Sequence, residues 1–154
     1  MVERGAGGCE EKGGVNAAEF DKMKEPNFDA NGKDESTFAP FLLTDARNTK
    51  WSYVGLSFHD WDWFKATYGG NTVDEYYFNG YGVEGLVKAV RLAAGLEPEA
   101  EGIDYNSEGD ACFIHFSNID EAIKTAEMAA DTIKDWDKLL QIIAVARANG
   151  FDDA

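Results

Sequence analysis

Its 154 residues give the chain room for one domain with a core of its own, and 44% hydrophobic and 13% aromatic residues exclude disorder along the whole chain. Charge is the unusual feature, because 29 acidic and 14 basic residues leave a net charge of −15. Such a charge disfavours nucleic acid as a direct partner, since the neutralisation of phosphates supplies most of that affinity. A basic protein suits it better, although a net negative charge also keeps small proteins in solution.

The two cysteines indicate neither a disulfide framework nor a zinc site. Cys9 stands in a glycine-rich stretch and Cys112 in an apolar one, and no CxxC spacing occurs. A reducing cytoplasm is therefore the predicted compartment. The alternative is a periplasmic lipoprotein with a truncated signal, because the small residues Gly7 and Gly8 precede Cys9. No apolar run approaches the roughly 18 residues that a membrane span needs, so no membrane partner is predicted.

The beginning of the chain differs in composition from the rest. Residues 1–36 are rich in Gly, Glu, Lys, Asp and Asn, and their large apolar residues are few and scattered. This composition predicts a flexible, acidic and glycine-rich N-terminal segment over residues 1–36. A single α+β domain is predicted to follow it over residues 37–154.

Four runs with the alternation of strands are predicted to pair as two hairpins. The first hairpin joins residues 38–44 to residues 52–58, and the second joins residues 102–105 to residues 111–116. Pro40 predicts that the first of these strands lies at a sheet edge, because proline cannot donate to a ladder.

A possible further strand over residues 72–78 leads into a helix. Just before that helix, Gly80 and Gly82 are predicted to form a sharp turn in which either glycine takes a positive φ. The helix itself is indicated by apolar residues at 3.6-residue spacing. They are Val83, Leu86, Val87, Val90, Ala93 and Ala94.

Two more helices complete the predicted fold. Ser117 is predicted to cap a helix whose buried stripe runs from Ile119 to Ile133, and Asp135 to cap a last helix that ends at Gly150. The fold class is therefore α+β, with a mainly antiparallel sheet of about four to five strands and two to three helices packed on one face.

The sequence contains none of the common catalytic motifs. A phosphate-cradling glycine loop with a lysine, GxSxG and HExxH are all absent, so no catalytic residue, metal or cofactor is predicted. His115 alternates into an apolar strand, which favours a partly buried structural histidine over a ligand. His59, Asp60 and Asp62 stand close together, and an alternative function is a small ligand- or metal-binding domain or an enzyme that uses them.

Aromatic and acidic residues are concentrated between residues 59 and 81. Tryptophan and tyrosine are enriched at interaction hot spots, and neighbouring carboxylates steer a cationic partner. The predicted partner-binding residues, which would suit a basic protein surface, are Asp60, Trp61, Asp62, Trp63, Tyr68, Asp74, Glu75, Tyr76 and Tyr77. The alternative, that aromatic residues fill the core, applies to Trp51, Phe58, Trp63 and Phe64.

A family resemblance lies in the order and spacing of four segments. They are PFLLTD at 40–45, FNGYGV at 78–83 with the helix that follows, IDYNSEG at 103–109, and SNIDEA at 117–122. Together they resemble the immunity protein 51 family of bacterial polymorphic toxin systems, and PFLLTD is similar to that family's opening strand. The resemblance extends over about residues 38–133.

This resemblance implies an antidote rather than an enzyme. Such a protein binds and neutralises the toxic domain of a cognate toxin. We expect this chain to do so in the cytoplasm, as a monomer or weak homodimer. If that toxin is a nuclease, its active surface is basic, and an acidic protein could occupy it as a mimic of nucleic acid. A third possibility is a scaffold or dimerisation domain, which a contiguous apolar patch around Trp136 and Leu140 would favour.

Overall fold

The computed structural model describes residues 24–152, which form seven strands and four helices and confirm the predicted α+β class. The strands are β1 (Lys33–Asp34), β2 (Leu42–Ala46), β3 (Tyr53–Phe58), β4 (Thr72–Val73), β5 (Tyr76–Tyr77), β6 (Ile103–Tyr105) and β7 (Cys112–Phe116). The helices are α1 (Trp61–Tyr68), α2 (Gly80–Ala93), α3 (Ile119–Ile133) and α4 (Trp136–Ala148). Neither these four nor any other helix in residues 24–152 has the length and apolar character to cross a bilayer.

Five of the strands form one antiparallel sheet in the order β1-β2-β3-β7-β6. Both predicted hairpins are confirmed, since β2 pairs with β3 and β6 pairs with β7. Leu43, Leu56 and Ile114 are neighbours across three adjacent strands. Because side chains alternate along a strand, these three residues mark one face of the sheet.

The helices pack on the face that carries Leu43, Leu56 and Ile114. Helices α2 and α3 contact β7, α3 also contacts β3, and α4 packs on α2 and α3. The predicted stripe of α2 is buried at Val83, Leu86, Val87 and Val90. Ala93 and Ala94, at the end of α2, are exposed instead. Burial of these apolar side chains between the helices and the sheet forms the core.

Side-chain caps fix where the helices begin. Asp135 accepts a hydrogen bond from the N–H of Lys138 at 3.1 Å, as predicted for the cap of α4. For α3 the prediction was one residue early. Asn118 rather than Ser117 is the cap, and its side-chain oxygen accepts from the N–H of Glu121 at 3.0 Å. Asn and Ser satisfy the first free N–H groups of a helix equally well, so residue preference alone does not separate the two positions.

The turn predicted at Gly80 and Gly82 is wrong, because both glycines lie inside α2 and neither has a positive φ. Close packing is the reason for glycine here. A Cβ atom on Gly80 would lie 1.8 Å from the carbonyl oxygen of Glu108, and one on Gly82 would lie 2.2 Å from that of Tyr77. The first turn of α2 is thus pressed against neighbouring backbone that leaves no space for a side chain.

Ordered structure begins before the predicted boundary at residue 37. Strand β1 pairs with β2, and Phe28 packs against the core. The prediction that the strand near Pro40 lies at a sheet edge is also wrong, because β1 covers the outer side of β2 and Pro40 lies just before β2. The rest of the predicted N-terminal segment, residues 1–23, lies outside the described residues, as does Cys9.

Asp34 anchors the segment that precedes β2. Its side chain is 1% exposed, and its carboxylate accepts hydrogen bonds from the N–H groups of Asn27 at 2.7 Å, Thr37 at 3.0 Å and Ser36 at 3.1 Å. Burial by itself would raise the pKa of Asp34. The hydrogen bonds outweigh burial and lower that pKa to about 2.

This pKa makes the stability contributed by Asp34 depend on pH. The contribution is present above the unfolded pKa of 3.8 and is lost as pH falls toward about 2. We expect Asp34→Asn to lower the free energy of unfolding by roughly 2 kcal/mol at neutral pH, measured by urea unfolding. The gap between wild type and variant should narrow as pH falls from about 4 toward 2, because the Asp34 carboxyl of the folded state then begins to take up its proton. A gap that does not change with pH would contradict this role.

Candidate functional site

The predicted aromatic residues of α1 are held mainly by contacts within the fold. Trp61 donates its indole N–H to the carbonyl of Asp110 at 2.7 Å. The rings of Trp63 and Tyr68 meet edge-on at a centroid distance of 6.2 Å, and Trp63 also contacts Phe58 at 6.5 Å. All three predicted residues are half-buried. They fix α1 on the core and leave only part of each ring for a partner.

The alternative interpretation of the aromatic residues as core is confirmed for two of them. Phe58 and Phe64 are fully buried, and Trp63 is half-buried. Trp51 is different, because 69% of it is exposed. An exposed tryptophan of this kind is typical of an interaction surface rather than of a core.

The predicted strand over residues 72–78 forms a separate hairpin of β4 and β5. Tyr76 on this hairpin is 2% exposed and donates its hydroxyl to the carbonyl of Gly82 at 2.6 Å. It therefore belongs to the core and not to a partner-binding surface. Tyr77, which points the other way along β5, is 60% exposed.

Asp74 and Glu75 form the exposed two-residue turn of this hairpin. Their φ values are +52° and +65°, in the left-handed region where glycine and asparagine are favoured. Arg147, on α4, donates to the carbonyl of Asp74 and forms an ion pair with its carboxylate at 3.3 Å. This contact from α4 holds the turn in place.

His59, Asp60 and Asp62 line one groove of about 430 Å³ together with Glu35. Ala39, Pro40, Phe41 and Leu42 also line this groove. The carboxylate of Asp60 also caps α1, since it accepts from the N–H of the third residue of the helix at 3.1 Å. The structure thus places the residues of the alternative ligand-binding prediction together in one groove, which we call the acidic groove.

The nine predicted residues therefore fall into three environments. Asp60 and Asp62 border the acidic groove, and the turn of the β4–β5 hairpin carries Asp74 and Glu75 beside Tyr77. The others are partly or wholly buried. The nine residues are close together in the sequence, but they do not form one surface in the structure.

A surface that the sequence did not single out lies on the side of the sheet opposite the helices. We call it the open sheet face and define it by the outward-pointing residues of five strands. They are Lys33, Leu42, Thr44, Tyr53, Gly55, Ser57, Asp104, Phe113 and His115. Most of them are half-exposed, and grooves lined by them open to solvent.

Tyr53 and His115 form the centre of the open sheet face. Their rings stack at a centroid distance of 4.0 Å with an angle of 28° between the planes. Gly55 pairs with His115 across the ladder and leaves room for the ring of Tyr53. A Cβ at Gly55 would lie 3.0 Å from that ring. Burial lowers the pKa of His115, and the nearby carboxylate of Asp104 opposes that shift. The imidazole is therefore neutral at pH 7 and offers a flat aromatic surface.

Three grooves follow one another along the open sheet face. The largest, of about 620 Å³, shares Tyr53 and His115 with the middle groove, which shares Ser57 and His59 with the acidic groove. Their lining residues include four carboxylates but a single lysine, Lys33. The carboxylates are those of Glu35, Asp60, Asp62 and Asp104. The surface is aromatic at its centre and acidic toward its ends.

Comparison with known proteins adds no information about this surface. Family models, curated proteins and solved structures give no match to this chain. The function has to be inferred from the residues on the surface.

Sequence reasoning missed the open sheet face because its residues come from separate strands. Tyr53 and His115 are 62 positions apart in the chain and meet only through the pairing of β3 with β7. A usable signal existed in the polar and aromatic residues at outward positions of the two predicted hairpins. Those positions alternate with the buried ones, so they had to share a face of the sheet.

Other groups that could carry chemistry are dispersed. Within residues 24–152, no three His, Cys, Asp or Glu side chains are placed to hold a metal ion. Cys112 is buried, and burial raises the pKa of its thiol to about 12, which keeps it protonated at neutral pH. On α4, Trp136 is 53% exposed, whereas Leu140 is half-buried against the core.

Proposed function

We propose that this chain is an immunity protein that binds and neutralises a cognate toxin domain of a bacterial polymorphic toxin system. The resemblance of its sequence motifs to the immunity protein 51 family suggests this role. The observation that carries the proposal is the open sheet face, an exposed surface with stacked Tyr53 and His115 at its centre and carboxylates toward its ends.

The chemistry of this face suits a basic protein. Aromatic rings supply large, rigid contact areas that dominate binding energy once water is excluded. The surrounding carboxylates raise the rate of encounter with a cationic surface and orient it. A toxin that acts on nucleic acid has a basic active surface, and we propose that the open sheet face covers such a surface, with Asp60 and Asp62 at its rim.

The proposal is tested with the full chain and the toxin domain encoded beside its gene. We expect a one-to-one complex in calorimetry and protection of cells that express the toxin. Raising the salt concentration from about 50 to about 500 mM should weaken the complex, because screening shortens the reach of the charges. A neighbouring toxin domain that is acidic, or that does not bind, would overturn the proposal.

A second candidate is the binding of a small organic ligand. One observation favours it, namely that His59, Asp60 and Asp62 line the same groove. The two functions differ in what copurifies with the chain. If a small molecule copurifies with the wild type but not with His59→Ala, and the neighbouring toxin does not bind, the second candidate is favoured.

A further inference from the structure

The largest groove of the open sheet face differs from the other two grooves because an exposed tryptophan lines it. It lies at the start of β3, and its lining includes Trp51, Tyr53, Asp104 and His115. Trp51, at 69%, is the most exposed large apolar side chain in residues 24–152. Water around such a ring is unfavourable, so a partner that covers it gains binding energy.

The ring of Trp51 already attracts a cation. The ammonium of Lys50 lies 4.8 Å from the centroid of that ring. The face of an indole is electron-rich, and tryptophan is the aromatic residue that binds cations best. Lys50 is exposed, and a lysine ammonium is strongly hydrated, so this contact is easily exchanged.

Asp104 supplies a negative charge to the same groove. It is exposed and pairs across the ladder with His115, and within residues 24–152 it forms no ion pair. Its carboxylate accepts a hydrogen bond from the side chain of Asn106 at 3.4 Å, which is long. A cation from outside would find this carboxylate free to accept hydrogen bonds.

A planar cation fits this combination better than a compact one. Guanidinium stacks on aromatic rings and forms two parallel hydrogen bonds with a carboxylate, whereas ammonium does neither. We infer that this groove receives an arginine side chain of the basic partner, which stacks on Trp51 and the Tyr53–His115 pair and binds Asp104. The inference rests on the proposed function where it takes that partner to be the toxin domain.

The groove is tested first without the toxin. The probe is the peptide acetyl-Gly-Arg-Gly-amide at millimolar concentration, and the readout is the indole N–H signal of Trp51 in NMR spectra, assigned with Trp51→Leu. The same peptide with citrulline in place of arginine has nearly the same shape without the charge. We expect the arginine peptide to shift the Trp51 signal of the wild type. The citrulline peptide should cause no shift in the wild type, and the arginine peptide should cause none in Asp104→Asn. Equal shifts with both peptides would overturn the inference.

The second arm uses the toxin domain. Trp51→Leu and Asp104→Asn are each expected to weaken its binding by about tenfold or more, as anchors of an interface do. Trp136→Leu and Asp131→Asn change an exposed tryptophan and an exposed acid on the helices and should leave binding within about twofold. Lys50→Met should tighten binding, because it removes a competing cation.

The two arms separate the failure of this inference from that of the proposed function. If the toxin binds but neither Trp51→Leu nor Asp104→Asn weakens it, the groove is not the arginine site and the immunity function stands. If the arginine peptide binds but the toxin does not, the groove is an arginine site and the immunity function fails. If neither binds, both are overturned.

Discussion

Replacing Gly80 with alanine is expected to destabilise the fold strongly. The new Cβ would lie 1.8 Å from the carbonyl oxygen of Glu108 and 2.3 Å from that of Ala111, both of them backbone atoms. Gly80 also donates its N–H to the carbonyl of Gly109 at 3.1 Å, so α2 and the β6–β7 loop cannot separate without losing this bond. We expect a loss of about 3–5 kcal/mol in the free energy of unfolding, measured with urea.

Gly70→Ala is the matched control for this substitution. A Cβ on Gly70 would meet nothing within 4 Å, and this glycine has no positive φ. Its stability should stay within about 0.5 kcal/mol of wild type or rise slightly, since alanine restricts the unfolded chain. If Gly80→Ala were as stable as Gly70→Ala, the close approach of α2 to the β6–β7 loop would be contradicted.

Gly80 shows which part of the fold the sequence could predict. The helix that it begins was predicted from the spacing of Val83, Leu86, Val87 and Val90, because helical periodicity is a local property of the chain. The role of Gly80 itself was not predicted, because the atoms that exclude a side chain there belong to residues 108 and 111, which are distant in the sequence. Glycine preference indicates a special position, but only the tertiary structure says whether conformation or space is the reason.

The candidate site was predicted less well than the fold, for a related reason. Large aromatic residues serve both cores and interfaces, so the composition of residues 59–81 could not tell a buried Tyr76 from an exposed Tyr77. The open sheet face depends on which side of the sheet the helices cover. That choice is made by packing between distant segments, and Tyr53 and His115 became a pair only through it.

Placing an arginine at position 57 is expected to abolish binding to the toxin domain. Ser57 points outward from β3, lies between Leu42 and Phe113 in the ladder, and lines both the middle and the acidic grooves. Ser57→Arg would add a long cation at the middle of a surface proposed to meet a basic partner. Steric exclusion and like-charge repulsion together should weaken binding by about 100-fold or more and remove protection in cells.

Ala144→Arg is the control, because it adds the same side chain at an exposed position of α4, away from the open sheet face. Both variants should unfold near the temperature of wild type, since both side chains point to solvent. Toxin binding that is lost in Ser57→Arg and kept in Ala144→Arg would place the interface on the open sheet face. The reverse pattern would move it to the helical side, and the aromatic centre at Tyr53 and His115 would then lose its proposed role.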